Sequence, residues 1–528
     1  MTCYRVPDDD TYPYRYLPIL VFVLGFFIRL YACCFTFIIN PDGVLYIHQA
    51  RALFYGQWDA VTSCGLPDLS VYPILIAGAF ALLHDWMAAA RGVSLIFGSA
   101  LLLPVYFTLR RFFDRNVSAT ATLIFALIPV MVGRSADVLR DPVCWFFLAL
   151  AIYGFVTYMD RKNSWYLLLS SICFILASWA RIESILYAGI SFLCMLPVKQ
   201  DRKLRHLMVF VLPFLCLALV SIIGVTACDM SVNDLHRAKL LANKMFQPFY
   251  RYSQLQMELA QLSAGFQDDF MEFFLPEARA NLWLVAFGTL LNRVLEAFFY
   301  PFALVFGIGL AGIGRRIKTD RRLLYLSALT VSAAGLLYLH TLDTWAVYYR
   351  FIVIMILPCA VFAGFGIEKI RSAIQHKIRV GEAGALALIV FLILVSGLPK
   401  NLYYRGYDKQ VFRQIGESIA GRQDRSRPVE VATSSQTHRW VSFYANLDFP
   451  GAACPESGAM NNWEQAAADE AGFIRHLKQN NMRYVLWEQR RWPAGAADPA
   501  NSLRDAGFVE LGRWNHPDTG QMILYELR

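Results

Sequence analysis

The ionisable residues best suited to chemistry lie at the ends of long apolar segments. Asp42 follows the first such segment, and Asp141 precedes a later one, directly before Pro142. Arg181 and Arg350 stand in comparable positions farther along the chain. A carboxylate can orient a hydroxyl and take its proton, and a guanidinium can neutralise an anionic leaving group. The pattern therefore indicates acid–base and anion-binding chemistry at one face of the molecule.

Each of these residues also has a structural interpretation. Asp42 could cap the helix that follows it, and Asp141 before Pro142 could begin a helix in the same way. Arg29 lies about twelve residues into the first apolar segment, where a charge is costly unless it is paired. An ion pair with Asp141 or Glu183 would account for Arg29, as would a role in holding an anion at the membrane boundary.

The segment after Asp42 has helical spacing with one apolar and one polar edge. The apolar edge contains Val44, Leu45, Ile47, Leu53 and Phe54, and the polar edge contains Tyr46, His48, Gln49 and Arg51. Such an amphipathic pattern is typical of a helix that lies in the membrane interface. We therefore expect Asp42 at the start of an interfacial helix.

Composition defines the elements that must position these residues. The chain has 528 residues, of which 57% are apolar, 15% are aromatic and only 17% are charged. So few charges could not cover a water-soluble protein of this size, and long apolar runs are typical of membrane spans. An ordinary soluble enzyme, a disordered scaffold and a nucleic-acid binder are excluded.

Eleven apolar segments predict a polytopic helical membrane protein. They lie at roughly 17–39, 88–110, 117–133, 142–159, 165–180, 183–198, 207–227, 294–314, 323–341, 351–368 and 383–398. The short loops that follow alternate segments are rich in Lys and Arg, which favours a cytoplasmic side for them. This alternation requires that 71–84 does not span, so we interpret it as an interfacial or re-entrant helix. The N-terminus is then cytoplasmic and the C-terminus outside.

The composition changes near residue 400, which predicts two domains. Residues 1–399 form the transmembrane domain, with outer loops at 40–87 and 228–293, and residues 400–528 form a small extracytoplasmic α/β domain. Strands are expected at 429–435 and 483–489, with a helix at 464–480 between them. A further helix is expected at 234–262, along the membrane surface.

Cysteine and histidine patterns indicate no built-in cofactor. The chain has no CxxC pair and no HExxH motif, so no metal site is predicted, although a divalent metal requirement stays open. Cys64, Cys228 and Cys454 fall in outer segments, where a disulfide is chemically possible. Nothing in the sequence pairs them.

Taken in order, these features resemble the GT-C glycosyltransferases, in particular the family 39-like branch of protein O-mannosyltransferases and lipid A aminoarabinose transferases. The matching positions are Arg29-Leu30, then Asp42 with Tyr46 and Ala50, Tyr72-Pro73 with Arg91, Asp137 with Asp141, Arg181, and Arg350-Phe351. Two positions depart from that pattern. The family often has two prolines where this chain has Val71-Tyr72-Pro73, and Asp-Glu where it has Asp42-Gly43.

The resemblance implies an enzyme that transfers a sugar from a polyprenyl-phosphate donor to an acceptor hydroxyl, with inversion, on the outer face of the membrane. The acceptor would be a glycan, lipid or protein. The enzyme would lie in a bacterial inner membrane. Asp42 would be the base, and Asp141 would position the acceptor or organise the arginines. The residues implied in donor binding are Tyr46, Arg91, Arg181 and Arg350, with support from Arg29, Asp137, Glu183 and Tyr349.

Two other functions use similar residues. A transporter or flippase for lipid-linked glycans would bind the same anionic lipid without making a bond, but the sequence has no detectable inverted repeat and its polar residues cluster at one face. A polysaccharide polymerase or ligase would use an oligosaccharide pyrophosphate donor.

Overall fold

The computed structural model describes residues 15–197, 203–227, 236–265, 269–434, 437–457, 459–460, 469–480, 482–492 and 500–528. Helices dominate the first four hundred residues. They are Leu17–Cys34, Pro41–Phe54, Val71–Leu83, Trp86–Ala100, Leu102–Leu109, Arg115–Leu127, Pro129–Ser135, Asp141–Arg161, Ser164–Ala180, Ile185–Met195, Lys203–Ala227, His236–Gly265, Asp269–Ala280, Leu282–Phe298, Tyr300–Leu310, Gly314–Thr319, Arg321–Thr344, Tyr349–Ile356, Ala360–Ile378 and Glu382–Gly397. Short 3₁₀ turns lie at Trp58–Ala60 and Ile182–Ser184. The predicted polytopic helical architecture is confirmed.

Each of the eleven predicted spans coincides with helix. In the part of the chain that the structure describes, five helices are long and apolar enough to cross a membrane, or eight if each sharply bent pair counts as one span. The remaining three predicted spans correspond to the shorter apolar helices Ser164–Ala180, Ile182–Met195 and Glu382–Gly397. The segment at 71–84, predicted not to span, forms another short apolar helix, Val71–Leu83.

Three of the predicted spans are broken rather than straight, and each break lies within two residues of a proline. The largest bend is at Phe299, whose φ is +65°. Helices bend by 63° before Pro129, by 105° before Pro301 and by 70° near Pro358. Proline lacks the backbone N–H that would continue the helical ladder, and its ring disfavours helical geometry at the preceding residue. Hydropathy alone could not reveal these bends, because the apolar character continues through each proline.

The C-terminal residues form one mixed five-stranded sheet. Its strands are β1 (Val431–Ser434), β2 (Ala459–Met460), β3 (Tyr484–Glu488), β4 (Phe508–His516) and β5 (Gly520–Leu527), in the order β2-β1-β3-β5-β4. β1 pairs in parallel with β2 and β3, whereas β5 pairs antiparallel with β3 and β4. The accompanying helices are Gln410–Ala420, His438–Ala445, Glu470–Gln479 and Ala500–Asp505.

The sheet confirms the predicted α/β character of this region. The expected strands at 429–435 and 483–489 are present as β1 and β3. The expected helix at 464–480 is seen over Glu470–Gln479, and its beginning lies outside the described residues. Side chains from this helix, including Phe473 and Leu477, pack in one apolar cluster with Val485 and Ile523 of the sheet.

The chain divides into two compact units that alternate along the sequence. We call the first the helical unit; it contains the described residues up to Ala32, Ser94–Ala136 and Arg140–Tyr403. The second, the sheet unit, contains Cys33–Val93, Asp137–Leu139 and Tyr404–Arg528. The sheet unit therefore takes in Asp42 and the segment 40–87, which the sequence predicts to be an outer loop, in addition to the C-terminal residues.

Candidate functional site

In the helical unit, Arg181 lies between two carboxylates. Its Nη1 donates a 2.6 Å hydrogen bond to Oδ1 of Asp141, and its Nη2 lies 3.4 Å from Oε1 of Glu183. Lys244 donates to the same Glu183 oxygen from its Nζ. The Arg181 guanidinium also stands over the ring of Phe351, 4.4 Å from its centroid. The structure thus brings three predicted site residues together and adds Lys244.

Helix ends bring these charges to one level. Asp141 is the first residue of helix Asp141–Arg161, and Arg181 follows the last residue of helix Ser164–Ala180. The two helices pack against each other along their lengths. An anionic group at a helix N-terminus and a cationic group at a C-terminus both complement the helix dipoles. Local helix boundaries therefore place Arg181 beside Asp141.

A narrow cavity opens beside Arg181. Its volume is about 40 Å³, on a measure in which one water molecule needs roughly 10–15 Å³, so it has room for a few waters or one phosphate group. Charged and polar side chains line part of it: Arg181, Glu183, Lys244, His340 and Asp343. Apolar side chains line the rest, among them Leu336, Leu337, Phe351 and Ile354.

His340 gives this cavity an unused polar atom. Its Nε2 is buried and has no hydrogen-bond partner among the described residues. A buried polar atom without a partner is costly, so it usually marks a place where a water, an ion or a ligand binds. The cavity therefore combines cations, an unsatisfied ring nitrogen and an apolar wall.

A wider groove adjoins the cavity through Asp343, which lines both. It has a volume of about 340 Å³ and is lined by Gln247, Arg251, Gln254, Leu255, Glu258, Asp343, Thr344 and Trp345. The first five of these residues lie on helix His236–Gly265, and the last three lie at the end of helix Arg321–Thr344. This wall presents polar and apolar surface in about equal parts and contains one indole ring.

Two other predicted residues of the helical unit, Arg350 and Tyr349, differ in how close they lie to Arg181. The Arg350 guanidinium stands 5.3 Å from the ring centroid of Phe351, so Arg181 and Arg350 share that ring. Tyr349 contacts Arg293 and Glu296 instead: its hydroxyl accepts a 2.6 Å hydrogen bond from Arg293 and donates to Glu296 at 2.7 Å.

Arg29 is completely buried. Of its two interpretations from the sequence, the ion pair with Asp141 or Glu183 is not found among the described residues. Its guanidinium donates to the backbone carbonyls of Gly25, Ala126 and Phe125, at 3.0, 3.1 and 3.4 Å. Main-chain carbonyl dipoles therefore stabilise this intramembrane charge in place of a carboxylate.

In the sheet unit, the loop before Asp42 is fixed by side-chain hydrogen bonds. Asn40, not Asp42, caps helix Pro41–Phe54, because its side-chain oxygen accepts from the Asp42 backbone N–H at 3.0 Å. Asp137 accepts from the Asn40 N–H at 2.8 Å, so this predicted site residue has a structural contact. A Cβ at Gly43 would lie 2.5 Å from the carbonyl oxygen of Val138, which requires glycine there.

The helix that follows Asp42 is buried on nearly all sides, so the polar edge identified in the sequence does not face water. Residues 43–52 are buried throughout. The ring nitrogens of His48 lie 2.9 Å from the Ala453 oxygen and 3.0 Å from the Ala60 oxygen, and Gln49 donates to the Val61 carbonyl at 2.8 Å. The polar side chains of this edge therefore bond to backbone carbonyls.

Arg51 makes the most extensive of these contacts. Its guanidinium donates to the carbonyls of Gly451 at 2.7 Å and of Asn446 at 3.0 Å, and also to that of Phe449. Burial lowers the pKa of Arg51 to about 10. These bonds attach the C-terminal segment 446–453 to the helix that carries Asp42.

Asp42 itself lies beside a cation from the C-terminal region. The Arg439 Nη1 is 3.7 Å from Oδ1 of Asp42, and Arg439 also forms an ion pair with Glu456. The predicted donor-binding residues nearby are engaged in packing. Tyr46 is buried edge-to-face against Tyr72, with ring centroids 5.4 Å apart, and Arg91 donates to the Thr36 carbonyl at 2.7 Å.

A disulfide joins the loop after this helix to the C-terminal region. Cys64 and Cys454, separated by 390 residues in sequence, are bonded to each other. Of the three cysteines singled out in the sequence, Cys228 lies outside the described residues. Within the part of the chain that the structure covers, no group of three or more His, Cys, Asp or Glu side chains could hold a metal ion.

Sequence reasoning missed Lys244 and Arg439. Lys244 lies in a segment with a clear helical pattern, but the pattern alone does not indicate which residues of its polar face contact another helix. Arg439 lies about four hundred residues from Asp42, and no local signal connects the two.

Comparisons with known proteins agree with this architecture. Residues 70–224 match the profile of a family described as dolichyl-phosphate-mannose-protein mannosyltransferase. This stretch contains Arg91, Asp141 and Arg181, but neither Asp42 nor Arg350. A comparison with curated protein sequences finds no match.

Solved structures with a similar fold include ArnT and the oligosaccharyltransferase AglB. ArnT from Cupriavidus metallidurans in the apo state has a TM-score of 0.57 and 11% identity, with 96% of this chain and 97% of ArnT covered. The structure of the same protein bound to undecaprenyl phosphate has a TM-score of 0.56. The oligosaccharyltransferase AglB from Archaeoglobus fulgidus, in complex with an inhibitory peptide and a dolichol-phosphate, gives 0.53 at 14% identity, with 96% and 74% covered. These likenesses establish the fold, and the family match covers residues 70–224 of the 528 in the chain.

Proposed function

We propose that the protein transfers one sugar from a polyprenyl-phosphate donor to a hydroxyl of an acceptor glycan, lipid or protein. The observation that carries this proposal is the cavity beside Arg181, in which two cations face an apolar wall. A lipid phosphate has the same two-part chemistry, an anionic head on an apolar tail. The undecaprenyl phosphate in the ArnT structure and the donor in the family description support a donor of this kind.

The leaving phosphate would bind at Arg181 and Lys244. A phosphate that leaves a sugar is already a stable anion, so it needs positive charge more than a proton. Lys244 is half-exposed and has three donors, of which one reaches Glu183. The unsatisfied Nε2 of His340 supplies a further polar contact in the same cavity. Arg350, which shares Phe351 with Arg181, would extend this positive surface.

The sugar ring would occupy the groove that adjoins this cavity. Sugars present hydroxyls that both donate and accept hydrogen bonds, and the amides of Gln247 and Gln254 can do the same. Trp345 offers an apolar face for the ring. The groove volume of about 340 Å³ lies at the small end of the range for ligand sites, roughly 300–1,000 Å³.

Asp42 would take the proton of the acceptor hydroxyl. The acceptor oxygen then attacks the anomeric carbon, the bond from that carbon to the phosphate oxygen breaks, and polyprenyl phosphate leaves with the electron pair. Attack from the opposite side inverts the anomeric centre. Asp141 is ion-paired with Arg181, so of its two predicted roles we favour the organisation of the arginines.

The protein is an integral membrane protein, and we propose that its N-terminus is cytoplasmic and its C-terminal region periplasmic in a bacterial inner membrane. The Cys64–Cys454 bond supports this orientation, since disulfides persist in oxidising compartments such as the periplasm.

The test is a transfer assay with purified protein, radiolabelled polyprenyl-phosphate sugars and cell-envelope extract. We expect wild-type protein to label an acceptor, and Asp42→Asn to abolish labelling while donor binding is retained. Lys244→Gln should weaken donor binding about tenfold, the cost of one lost charge-assisted hydrogen bond. Asp59→Asn, at an exposed acid in the same outer loop, is the matched control. Wild-type turnover by Asp42→Asn, or lipid movement without any labelled product, would contradict the proposal.

A further inference from the structure

The C-terminal region contributes a charged residue to the surroundings of Asp42. Arg439 lies in helix His438–Ala445, and its Nη1 is 3.7 Å from Oδ1 of Asp42. The Asp42 and Arg439 side chains are 37% and 30% exposed. The pair is thus accessible to solvent, as a carboxylate that meets an acceptor must be.

Glu456 holds the guanidinium in this position. The Arg439 Nε donates a 2.7 Å hydrogen bond to Oε1 of Glu456, and Nη2 contacts the same oxygen. One edge of the planar guanidinium is therefore fixed on Glu456 while Nη1 is directed toward Asp42. A lysine could not make both contacts, because its ammonium is a single point charge on a flexible stem.

Glu456 is itself fixed by the outer loop. Cys454, two residues earlier, is bonded to Cys64, and the next residue of the loop, Gly65, packs directly against the Glu456 carboxylate. A Cβ at Gly65 would lie 2.6 Å from Oε2 of Glu456, and the φ of this glycine is +66°. Loop, disulfide and carboxylate thus form a rigid support behind Arg439.

We propose that Arg439 is a positioning residue that orients the Asp42 carboxylate for proton transfer. This inference rests on the proposed function, in which Asp42 is the base. A general base must lie within hydrogen-bond reach of the proton it accepts, and a displacement of about 1 Å can cost on the order of 100-fold in rate. A half-exposed ion pair contributes little to folding stability, so the chief effect of Arg439 should be on turnover.

The test compares Arg439→Gln and Arg439→Lys in the transfer assay. We expect Arg439→Gln to lower kcat about 10- to 100-fold with an unchanged KM for the donor, because the donor phosphate is bound by residues of the helical unit. Arg439→Lys keeps the charge and should lose less. Glu456→Gln should also lower kcat, since it releases the guanidinium. Arg425→Gln, which removes an exposed ion pair with Asp448 in the same unit, is the control and should leave kcat unchanged.

The outcomes separate this inference from the proposed function. If Asp42→Asn is inactive and Arg439→Gln retains the wild-type kcat, the positioning role is wrong while the proposed function stands. If Asp42→Asn retains activity, the proposed base is wrong. A lower melting temperature and loss of the Cys64–Cys454 disulfide in both Arg439 variants would assign Arg439 a folding role and overturn the inference.

Discussion

Arg181 donates a 2.6 Å hydrogen bond to Asp141, and both side chains are almost completely buried. Removal of one partner from a buried ion pair leaves an uncompensated charge, which costs about 3–5 kcal/mol. We therefore expect Arg181→Ala to lower the free energy of unfolding by that amount, as measured by thermal unfolding in detergent. The double variant Arg181→Ala with Asp141→Asn should recover part of the loss, because the second change removes the unpaired carboxylate.

An exposed ion pair provides the control for this experiment. Arg293 pairs with Glu296 at 2.9 Å, and their side chains are 42% and 28% exposed. Such pairs contribute about 0–1 kcal/mol, so Arg293→Ala should change the melting temperature little. Equal losses in the two single variants would contradict the burial argument.

Trp345 should affect recognition of the sugar rather than of the lipid phosphate. Its backbone adopts a left-handed conformation with φ of 54°, which is unfavourable for a bulky residue and sets the indole at the groove. We expect Trp345→Ala to weaken binding of the polyprenyl-phosphate sugar that labels an acceptor in the transfer assay about tenfold, on the scale of one lost stacking contact. Binding of polyprenyl phosphate without a sugar should be unchanged. Isothermal titration with the two lipids measures the difference, and an equal loss for both would refute the assignment of the groove.

The Cys64–Cys454 disulfide should stabilise the sheet unit. Removal of a structural disulfide typically costs about 2–5 kcal/mol. Cys64→Ser and Cys454→Ser should each lower the melting temperature, and a reducing agent should lower that of the wild type but not that of either variant. Cys216→Ser, at an exposed free cysteine, is the control. Identical melting curves with and without reductant would show that the bond contributes nothing.

Acidification should destabilise the sheet unit through His438. Burial lowers the pKa of this residue to about 4, whereas the unfolded chain titrates near about 6.5. Between these values the unfolded state binds a proton that the folded state does not. The free energy of unfolding is therefore highest above about pH 6.5 and falls as the pH drops toward 4. The largest decrease in the free energy of unfolding from this residue is about 3 kcal/mol.

Melting temperatures between pH 8 and 4.5 test this dependence. His438→Gln should flatten the acid side of the profile relative to wild type, while His376→Gln, at an exposed histidine, should not. His48 acts in the same direction, because burial also lowers its pKa, so some slope will remain in His438→Gln. A slope that is identical in all three proteins would exclude His438 as a cause.

The helices could be predicted from the sequence because membrane insertion depends on local hydropathy, which each segment carries in its own residues. The same holds for Asp141 and Arg181, which are near helix ends that the sequence marks with Pro142 and with the end of an apolar run. The surroundings of Asp42 could not be predicted, because they depend on contacts with residues about four hundred positions away. The sequence pattern places Arg51 on the polar edge of its helix. Its partners are backbone carbonyls, which no side-chain pattern in the sequence can reveal.

The Arg51 contacts restrict how the segment 446–451 can vary among related sequences. All of its partners in 446–451 are main-chain oxygens, which every amino acid possesses. Replacement of the Leu447 side chain should therefore leave these hydrogen bonds in place, whereas proline at Phe449 or Gly451 would remove a backbone N–H that donates within the segment. A deletion or insertion of a single residue there would move several of the carbonyl oxygens that bind Arg51 at once. We therefore expect related sequences to keep the length of this segment.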